Sequence, residues 1–391
     1  MKSGACLLRK HLNNTPHNLG LGTRRKISAC TAEPPFEPKC THKHSKEADR
    51  MLSSKFGIEI EFTGISRSEA ADVVSKYLEG SISRSYDYYD TYTVTAPDGR
   101  NWKLMYDGSL HCRRRVGRSS TSAGSEYSCE LVSPILIYRE DIGTLQDIVR
   151  RLRKAGGMTN NSCGIHIHLD GAAHTPRSIR NFINLIASRN DLFYKALQIE
   201  PERMGYCKKM DAYLVKRMNE KKPKTFSQLE EIWYSGYGGN RNGHYHDSRY
   251  YFLNLHCFFH GNHTIELRGF NSELHAGKIR AYIVFALAMN HQALTQKSAS
   301  YRKVQEENEK FAMRVYLNRI GFIGEEFKSC RKHLYEHLDG NAAWRYGSKE
   351  NCRSRRKKPK NVVDEEEASL NESESDDLDY LCDPNADLPF D

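Results

Sequence analysis

The chain has 391 residues, of which 38% are hydrophobic and 28% charged, a length that allows one large domain or two average ones. No apolar stretch approaches the roughly 18 residues of a membrane span, and we expect no secretory signal because its apolar segment is missing. The 11 cysteines form no Cys-x-x-Cys pair, so we expect reduced thiols and a cytoplasmic protein.

The net charge of +10 conceals opposite charges at different places in the chain. From Asp364 to Asp391 there are twelve acidic residues and no Lys or Arg, so the first 363 residues carry +22, twelve more than the whole chain. A basic run stands just before that acidic segment, at Arg353, Arg355, Arg356, Lys357, Lys358 and Lys360. So basic a body indicates anionic ligands, with phosphates favoured and nucleic acid less favoured.

Composition predicts three parts along the chain. Residues 1–52 are polar and basic and predict a flexible extension, although their acid-poor start also resembles a transit peptide. Residues 53–345 contain periodic apolar patterns and are predicted to fold. Residues 346–391 are predicted to be a disordered tail, first basic and then acidic, because a segment so charged and so poor in apolar groups cannot form a core.

Apolar periodicity predicts alternating strands and helices in the first half of the folded part. Strands are predicted at 56–62, 91–96, 102–106, 130–134 and 163–170. Ser66 and Glu69 form a capping box that opens a helix ending at Gly80, and a second helix ends at Gly156. The Pro-Asp-Gly turn at 97–99 predicts a hairpin.

The second half is predicted to contain long helices and two further strands. Helices are predicted from Pro176 to about Leu197 and over roughly twenty residues from near Glu273, and strands at 250–256 and 263–268. The Gly-rich segment 235–243 is either a mobile lid or a disordered linker. Strands joined by hairpins and interrupted by helices predict an α+β domain, with an antiparallel sheet flanked by helices. No G-x-G-x-x-G or Walker motif accompanies the strands, which excludes a Rossmann or P-loop nucleotide site.

Three of the predicted strands place pairs of reactive side chains on one face, because residues two apart on a strand point the same way. The pairs are Glu59 with Glu61, His166 with His168, and Glu266 with Arg268. Charged groups on such a face must be solvated, paired or coordinated. One interpretation is an ordinary solvent-facing surface with salt bridges. The other is a site for Mg²⁺ or Mn²⁺, which carboxylates with one or two imidazoles suit better than they suit a structural zinc.

Six sequence blocks, in order, resemble the signature of the amidoligase family, which is similar to glutamine synthetase and glutamate–cysteine ligase. The blocks are Gly57–Phe62, Asp107–Ser109, Glu130–Pro134, Cys163–His168, Arg249–Leu255 and Thr264–Phe270. The resemblance covers about Phe56 to Leu294 and implies that 53–345 is a catalytic domain with an antiparallel sheet of the glutamine-synthetase type. The family does not explain the segments before and after it.

The resemblance also implies two metal ions, Mg²⁺ or Mn²⁺, and their ligands. Glu59, His166 and Glu266 resemble the ligands of the metal that grips the nucleotide phosphates. Glu61 and Glu130 resemble ligands of a second metal, next to the reacting carboxylate and amine.

Further roles follow from the same resemblance. Arg268 resembles the arginine that stabilises the transferring phosphoryl group, and Arg268 and Glu61 are the expected catalytic residues. Arg249 is a candidate clamp for a carboxylate or a phosphate, since a guanidinium binds such groups bidentately. His168 either orients the nucleotide or pairs with a carboxylate, and Asp107 is either a further site carboxylate or only a turn residue.

The function implied by the resemblance is that of an ATP-dependent carboxylate–amine ligase. Such an enzyme forms an amide or isopeptide bond through an acyl phosphate, here on an amino-acid, peptide or protein substrate. A phosphagen-kinase-like phosphotransferase is an alternative that would stop at a phosphorylated product. A non-enzymatic nucleic-acid-binding protein is another, which the basic body favours but the acidic strand faces do not. A metal-dependent hydrolase is a third, and it would need no ATP.

Overall fold

The structure, a computed structural model, describes residues 48–243, 245–304 and 307–356. Most of the predicted basic extension, at 1–47, lies outside these residues, as does the predicted tail from 357 onward with its acidic segment. The division of the chain into three parts therefore stays a prediction. Residues 48–52, at the end of the predicted extension, are helical, and so is Lys349–Arg356 at the start of the predicted tail.

Helices and an antiparallel sheet together make up the described part of the chain, which confirms the predicted α+β class. Nine strands form one sheet there: β1 (Lys55–Phe62), β2 (Ser81–Arg84), β3 (Tyr92–Thr95), β4 (Asn101–Met105), β7 (Cys129–Val132), β8 (Leu136–Ile137), β9 (Gly164–Asp170), β10 (Leu253–Asn254) and β11 (Thr264–Asn271). Their order is β10-β11-β9-β1-β7-β4-β3-β2, with β8 also paired to β1, and all these pairs are antiparallel. A separate hairpin joins β5 (Arg113–Val116) to β6 (Ser119–Ser122).

Besides the helical residues 48–52, the α-helices within the described residues are α1 (Arg67–Leu78), α2 (Tyr138–Ala155), α3 (Pro176–Ala187), α4 (Asn190–Ala196), α5 (Ala212–Lys221), α6 (Phe226–Tyr234), α7 (His256–His260), α8 (Ala276–Thr295), α9 (Glu309–Arg319), α10 (Lys328–Tyr335) and α11 (Lys349–Arg356). The longest of them, α8, is apolar on nearly all sides and is buried, as such helices are in globular proteins. It packs against β9 and against α2, α3 and α10.

The helices cover the apolar face of the sheet. Ile58 and Ile60 of β1 and Ile165 and Ile167 of β9 are buried in the same core as Ile279 of α8. Because side chains alternate along a strand, the charged residues between these isoleucines lie on the opposite face. The core therefore fixes which face of the sheet is free to carry a polar site.

Local signals in the sequence define several element ends, as predicted. Ser66 caps α1, and its backbone N–H donates to the Glu69 carboxylate at 2.8 Å in a complete capping box. Gly156 ends α2 with φ at 114°, a left-handed conformation that glycine adopts without strain. The predicted hairpin is formed by β3 and β4.

The long helix predicted at 176–197 is divided into α3 and α4. Arg189, between them, has φ −125° and ψ 15°, outside the helical range. The carbonyl of Ser188 accepts a hydrogen bond from the N–H of Val304 at 3.0 Å. A segment distant in sequence thus replaces the helical partner of this carbonyl, which local periodicity could not indicate.

The strand predicted at 250–256 is reduced to the two residues of β10. The N–H of Phe252 donates to the carbonyl of Lys208, and the N–H of Lys208 donates to the carbonyl of Tyr250, both at 2.8 Å. This part of the strand therefore pairs with a neighbouring loop, and α7 begins directly after Leu255. The alternation of apolar residues correctly predicted a strand in this segment, but the predicted strand was too long.

Candidate active site

The charged face of the sheet assembles its side chains by cross-strand pairing around β1. Glu59 lies opposite His166 of β9, and Glu61 lies opposite Glu130 of β7. These four residues come from three adjacent strands and lie on one face. Strand β1, between β9 and β7, therefore places Glu59 beside His166 on one side and Glu61 beside Glu130 on the other.

Glu59 bridges the two histidines of β9. Its carboxylate oxygens lie 2.9 Å from Nδ1 of His166 and 3.1 Å from Nε2 of His168. Burial would raise the pKa of Glu59, but the charge of His168 and hydrogen bonds to both imidazoles hold that pKa well below its usual value. Burial would likewise lower the pKa of His168, and Glu59 raises it well above the usual value. Glu59 is therefore ionised at neutral pH, as a metal ligand must be.

Glu61 is almost fully buried and lies among groups of both charges. It accepts a hydrogen bond from the N–H of Gly164 at 2.5 Å, and its other oxygen lies 3.7 Å from Nε2 of His166. Burial raises the pKa of Glu61, and the nearby Asp107 carboxylate raises it further against the effect of His166. Asp107 itself accepts two hydrogen bonds from Ser109, at 2.6 Å each, so it is both a turn residue and a carboxylate of the site.

Glu130 is the carboxylate with the least compensation. Burial raises its pKa well above the usual value, and the Glu59 and Glu61 carboxylates raise it further. None of the residues that the structure describes forms an ion pair or a hydrogen bond with its side chain. A half-buried acid among other carboxylates is costly unless a cation binds it.

Two groups of potential metal ligands share Glu130. In each group the donor atoms lie within 4.8 Å of one another, and the groups are Glu59 with Glu130 and His166, and Glu61 with Asp107 and Glu130. Four carboxylates and one imidazole make up the two groups, and carboxylate oxygens are the hard ligands that Mg²⁺ and Mn²⁺ prefer. The residues therefore fit a pair of such cations, and Glu130 belongs to both ligand groups.

Glu266, on β11, is held by polar neighbours instead. Its carboxylate accepts hydrogen bonds from Arg268 at 2.5 Å and from Asn254 at 2.7 Å. Burial would raise the pKa of Glu266, but Arg268 and His168 outweigh burial and lower that pKa to about 2. One oxygen lies 3.8 Å from Nδ1 of His166, so Glu266 borders the first ligand group that the sequence predicted it to join.

A β-bulge aims Arg268 into the site. The pairing of β11 with β9 shifts register between Leu267 and Phe270, so Arg268 and Gly269 together stand opposite the single residue His166. A Cβ atom on Gly269 would lie 1.9 Å from the ring of Phe252, so this position requires glycine. Arg203 supports the bulge by donating to the carbonyls of Phe270 at 2.5 Å and Arg268 at 3.0 Å.

These residues line a cavity of about 630 Å³. Glu59, Glu61, Asp107, Glu130, His166, Arg249 and Arg268 contribute to its wall. Six tyrosines surround them: Tyr88, Tyr89, Tyr106, Tyr206, Tyr245 and Tyr250. The guanidinium of Arg249 lies over the rings of Tyr245 and Tyr250, at 5.4 and 5.9 Å from their centroids. The cavity thus combines carboxylates, guanidinium groups and aromatic faces, as a site for a charged organic substrate would.

Comparison with known proteins identifies the family. The family model described as "Putative amidoligase enzyme" matches residues 52–290, which is more than half of the chain. The chain belongs to this amidoligase family. None of the curated proteins compared with it matches. Membership confirms the resemblance found in the sequence and indicates a ligase that forms amide bonds.

In this amidoligase two predicted site residues lie outside the 630 Å³ cavity wall. Glu266 contacts Arg268, and His168 lines a second cavity of about 510 Å³ that also includes Glu59. Phe56, Ile58, Val132, Pro134 and Ile135 belong to this second wall, so it is mainly apolar. Glu59 therefore stands between two cavities on the same face of the sheet. Which of the predicted residues bind metal or nucleotide stays a prediction.

Sequence reasoning missed several residues of the site. Arg203 is only 3% exposed and holds the bulge, but a single arginine in a basic region carries no pattern that would identify it. Cys257 lies 3.7 Å from Glu266 and had no recognisable spacing. Asn254 stands inside one of the family-like blocks, so its contact with Glu266 could have been inferred.

Among the described helices, none is long and apolar enough to cross a membrane.

Proposed function

We propose that this amidoligase is an ATP-dependent carboxylate–amine ligase that acts through an acyl phosphate on a sheet of the glutamine-synthetase type. The observation that carries the proposal is the pair of ligand groups sharing Glu130, with Arg268 in the wall of the same cavity. A carboxylate is a poor electrophile and must be activated before an amine can attack it. Phosphoryl transfer from ATP to a carboxylate is catalysed mainly by positioning and by compensation of charge.

The acidic residues supply the cation sites in this proposal. Glu59, His166 and Glu130 would hold one Mg²⁺ or Mn²⁺, and Glu61, Asp107 and Glu130 the other. When bound, these cations compensate the negative charge of the phosphate oxygens. The raised pKa of Glu130 supports this assignment, because three neighbouring carboxylates without a cation repel one another.

Arg268 is oriented to bind the transferring phosphoryl group. Its Nη1 donates to Glu266 and its Nε donates to the carbonyl of Tyr206 at 3.3 Å. Within the described residues, no group accepts a hydrogen bond from Nη2. Burial would lower the pKa of Arg268 but Glu266 raises it, so the guanidinium stays charged while it lines the cavity. Fixing the donor before reaction reduces the reorganisation that charge development requires.

The remaining polar residues would position the organic substrates. Arg249, held against two tyrosine rings, would bind a substrate carboxylate bidentately. Glu61 is oriented by the N–H of Gly164 and faces the same cavity, where it would bind a cation or accept the proton of the attacking amine. Glu61 lies on strand β1, and Arg249 lies in the short turn before β10. The sheet therefore restricts the movement of both side chains relative to the substrate.

The test is ADP release in the presence of Mg²⁺ and a panel of amino acids, amines and peptides, with the product identified by mass spectrometry. An amide product together with ADP and phosphate supports the proposal. A stable phosphorylated product would indicate a phosphotransferase, and turnover without ATP would indicate a hydrolase. Glu59→Gln should abolish ADP release, whereas Glu140→Gln, at an exposed position of α2, should not.

A further inference from the structure

A third group of potential ligands lies beside the two that share Glu130, and it differs from them in containing sulfur. Its members are His168 of β9, Cys257 of α7 and Glu266 of β11. Their donor atoms all lie within 4.8 Å of one another. The proposed ligase reaction gives no role to Cys257, so this cluster requires its own explanation.

The spacing of the cluster suits a tetrahedral ion. Zinc binds sulfur at about 2.3 Å and carboxylate oxygen at about 2.1 Å, which places two such ligands about 3.6 Å apart at the tetrahedral angle. Sγ of Cys257 lies 3.7 Å from Oε2 of Glu266. The sulfur also lies 3.2 Å from the carbonyl oxygen of Thr264. The sulfur and carboxylate donors are thus close to their distance in a zinc complex, and the imidazole donor lies within 4.8 Å of both.

His168 is oriented as a metal-bound histidine is. Its Nε2 lies 3.1 Å from the Glu59 carboxylate, so Nδ1 is the nitrogen left to bind an ion, in place of its present 3.3 Å contact with the hydroxyl of Thr264. A carboxylate behind the imidazole fixes the ring and increases its basicity, and this arrangement recurs behind zinc-bound histidines. The side chain of His168 is 23% exposed and lines the 510 Å³ cavity, which gives an ion a route to the cluster.

We propose that His168, Cys257 and Glu266 form a binding site for a thiophilic divalent cation of the zinc class, separate from the Mg²⁺ or Mn²⁺ ligands. A thiolate and an imidazole select such ions over Mg²⁺, and the carboxylate completes a three-residue set with an open fourth position. The two groups that share Glu130 contain no sulfur. The ligands of each group therefore determine which kind of ion it binds.

Occupancy of this site would change the residues next to it. Oε2 of Glu266 accepts a hydrogen bond from Asn254, and an ion on that oxygen would compete with it. The other oxygen holds Arg268. A thiophilic ion should therefore inhibit the ligase by drawing the Glu266 carboxylate away from Asn254 and shifting the Arg268 that the same carboxylate holds. This consequence rests on the proposed function, whereas binding of the ion does not.

The test is a titration of the full chain with Cd²⁺ in excess Mg²⁺, monitored by the ultraviolet charge-transfer absorption of the cadmium–thiolate bond. Mg²⁺ keeps the hard-ligand groups occupied and gives no such absorption. We expect wild type to show one equivalent of absorption more than Cys257→Ser. Cys112→Ser, which removes another partly buried cysteine outside the cluster, should match wild type. His168→Asn should weaken Cd²⁺ binding by more than the roughly hundredfold that loss of an outer-shell partner can cost.

Equal absorption in wild type and Cys257→Ser would overturn the proposal. Circular dichroism of each variant shows whether it folds, and Cys257→Ala gives a second variant should the serine unfold the protein. If ligase activity is found, Cys257→Ser should raise the Zn²⁺ concentration for half-inhibition at least tenfold relative to wild type. If no ligase activity is found, the Cd²⁺ titration still decides whether the cluster binds metal.

Discussion

Glu61 lies directly opposite Glu130 in the antiparallel pairing of β1 and β7. Like charges at such positions destabilise a sheet by up to about 1 kcal/mol. We expect Glu130→Gln, measured in a chelator, to unfold at a temperature a few degrees above wild type at neutral pH. With excess Mg²⁺, wild type should unfold at the higher temperature instead, because Mg²⁺ stabilises the protein that retains its ligands.

The difference in stability between Glu130→Gln and wild type should depend on pH. The folded-state pKa of Glu130 lies well above its usual value of 4.5, so the folded state binds more protons than the unfolded state above that pH. Its contribution to stability is present below pH 4.5 and is lost as the pH rises through the folded-state pKa. The advantage of Glu130→Gln should therefore grow from pH 4.5 to neutral pH in differential scanning calorimetry. A variant less stable than wild type at pH 7 without metal would contradict the assignment.

Loss of a proposed Mg²⁺ ligand, or of the carboxylate that holds Arg268, should affect turnover and not folding. Glu59→Gln and Glu266→Gln keep side-chain shape but remove an anion, so we expect ADP release to fall by orders of magnitude. The effect of Glu59→Gln should include weaker Mg²⁺ binding in calorimetry, since Glu59 belongs to a ligand group. Glu266→Gln should alter kcat more than Mg²⁺ affinity, because Glu266 mainly holds Arg268. Full activity of the double variant would exclude the proposed site.

Strand alternation was sufficient to place Glu59 and Glu61 on one face, and the register confirms it. It was not sufficient to decide which acids meet. That depends on the pairing of β1 with β7, which sets Glu61 against Glu130, and a shift of one residue would change every partner. The family resemblance supplied the residues, whereas the grouping around Glu130 came from the three-dimensional register.

Non-local contacts explain what the sequence could not predict. Arg203 and Gly269 act together at the bulge, yet they are distant in sequence and neither belongs to a periodic pattern. Cys257 meets Glu266 only because α7 follows β10 directly. Periodicity reports which face of an element is buried, and it carries no information about partners brought together by the fold.

The bulge predicts that a substitution at Gly269 will shift Arg268 and so lower activity without touching the substrate. A Cβ on Gly269 would overlap the ring of Phe252, which is fully buried, so Gly269→Ala must displace one of them. We expect a loss of about 2 kcal/mol of stability and a lower kcat, because Arg268 moves with the bulge. Phe252→Val should make room for the new methyl group. The double variant should then be more stable than the sum of the single effects, in chemical denaturation, and additive effects would mean that the two residues do not clash.

Arg268→Lys separates binding of ATP from stabilisation of the transferring phosphoryl group. Lysine keeps the charge but cannot donate at once to Glu266, to the carbonyl of Tyr206 and to a phosphate oxygen, as the planar guanidinium can. We therefore expect kcat to fall by roughly a hundredfold or more, as removal of one preorganised donor does, with a smaller change in the KM for ATP. Steady-state kinetics with Arg249→Lys as the comparison would show whether the effect is particular to Arg268, since Arg249 is expected to affect the KM of the organic substrate instead. A change confined to the KM for ATP would assign Arg268 to ground-state binding, and a large drop in unfolding temperature would make its pairing with Glu266 structural.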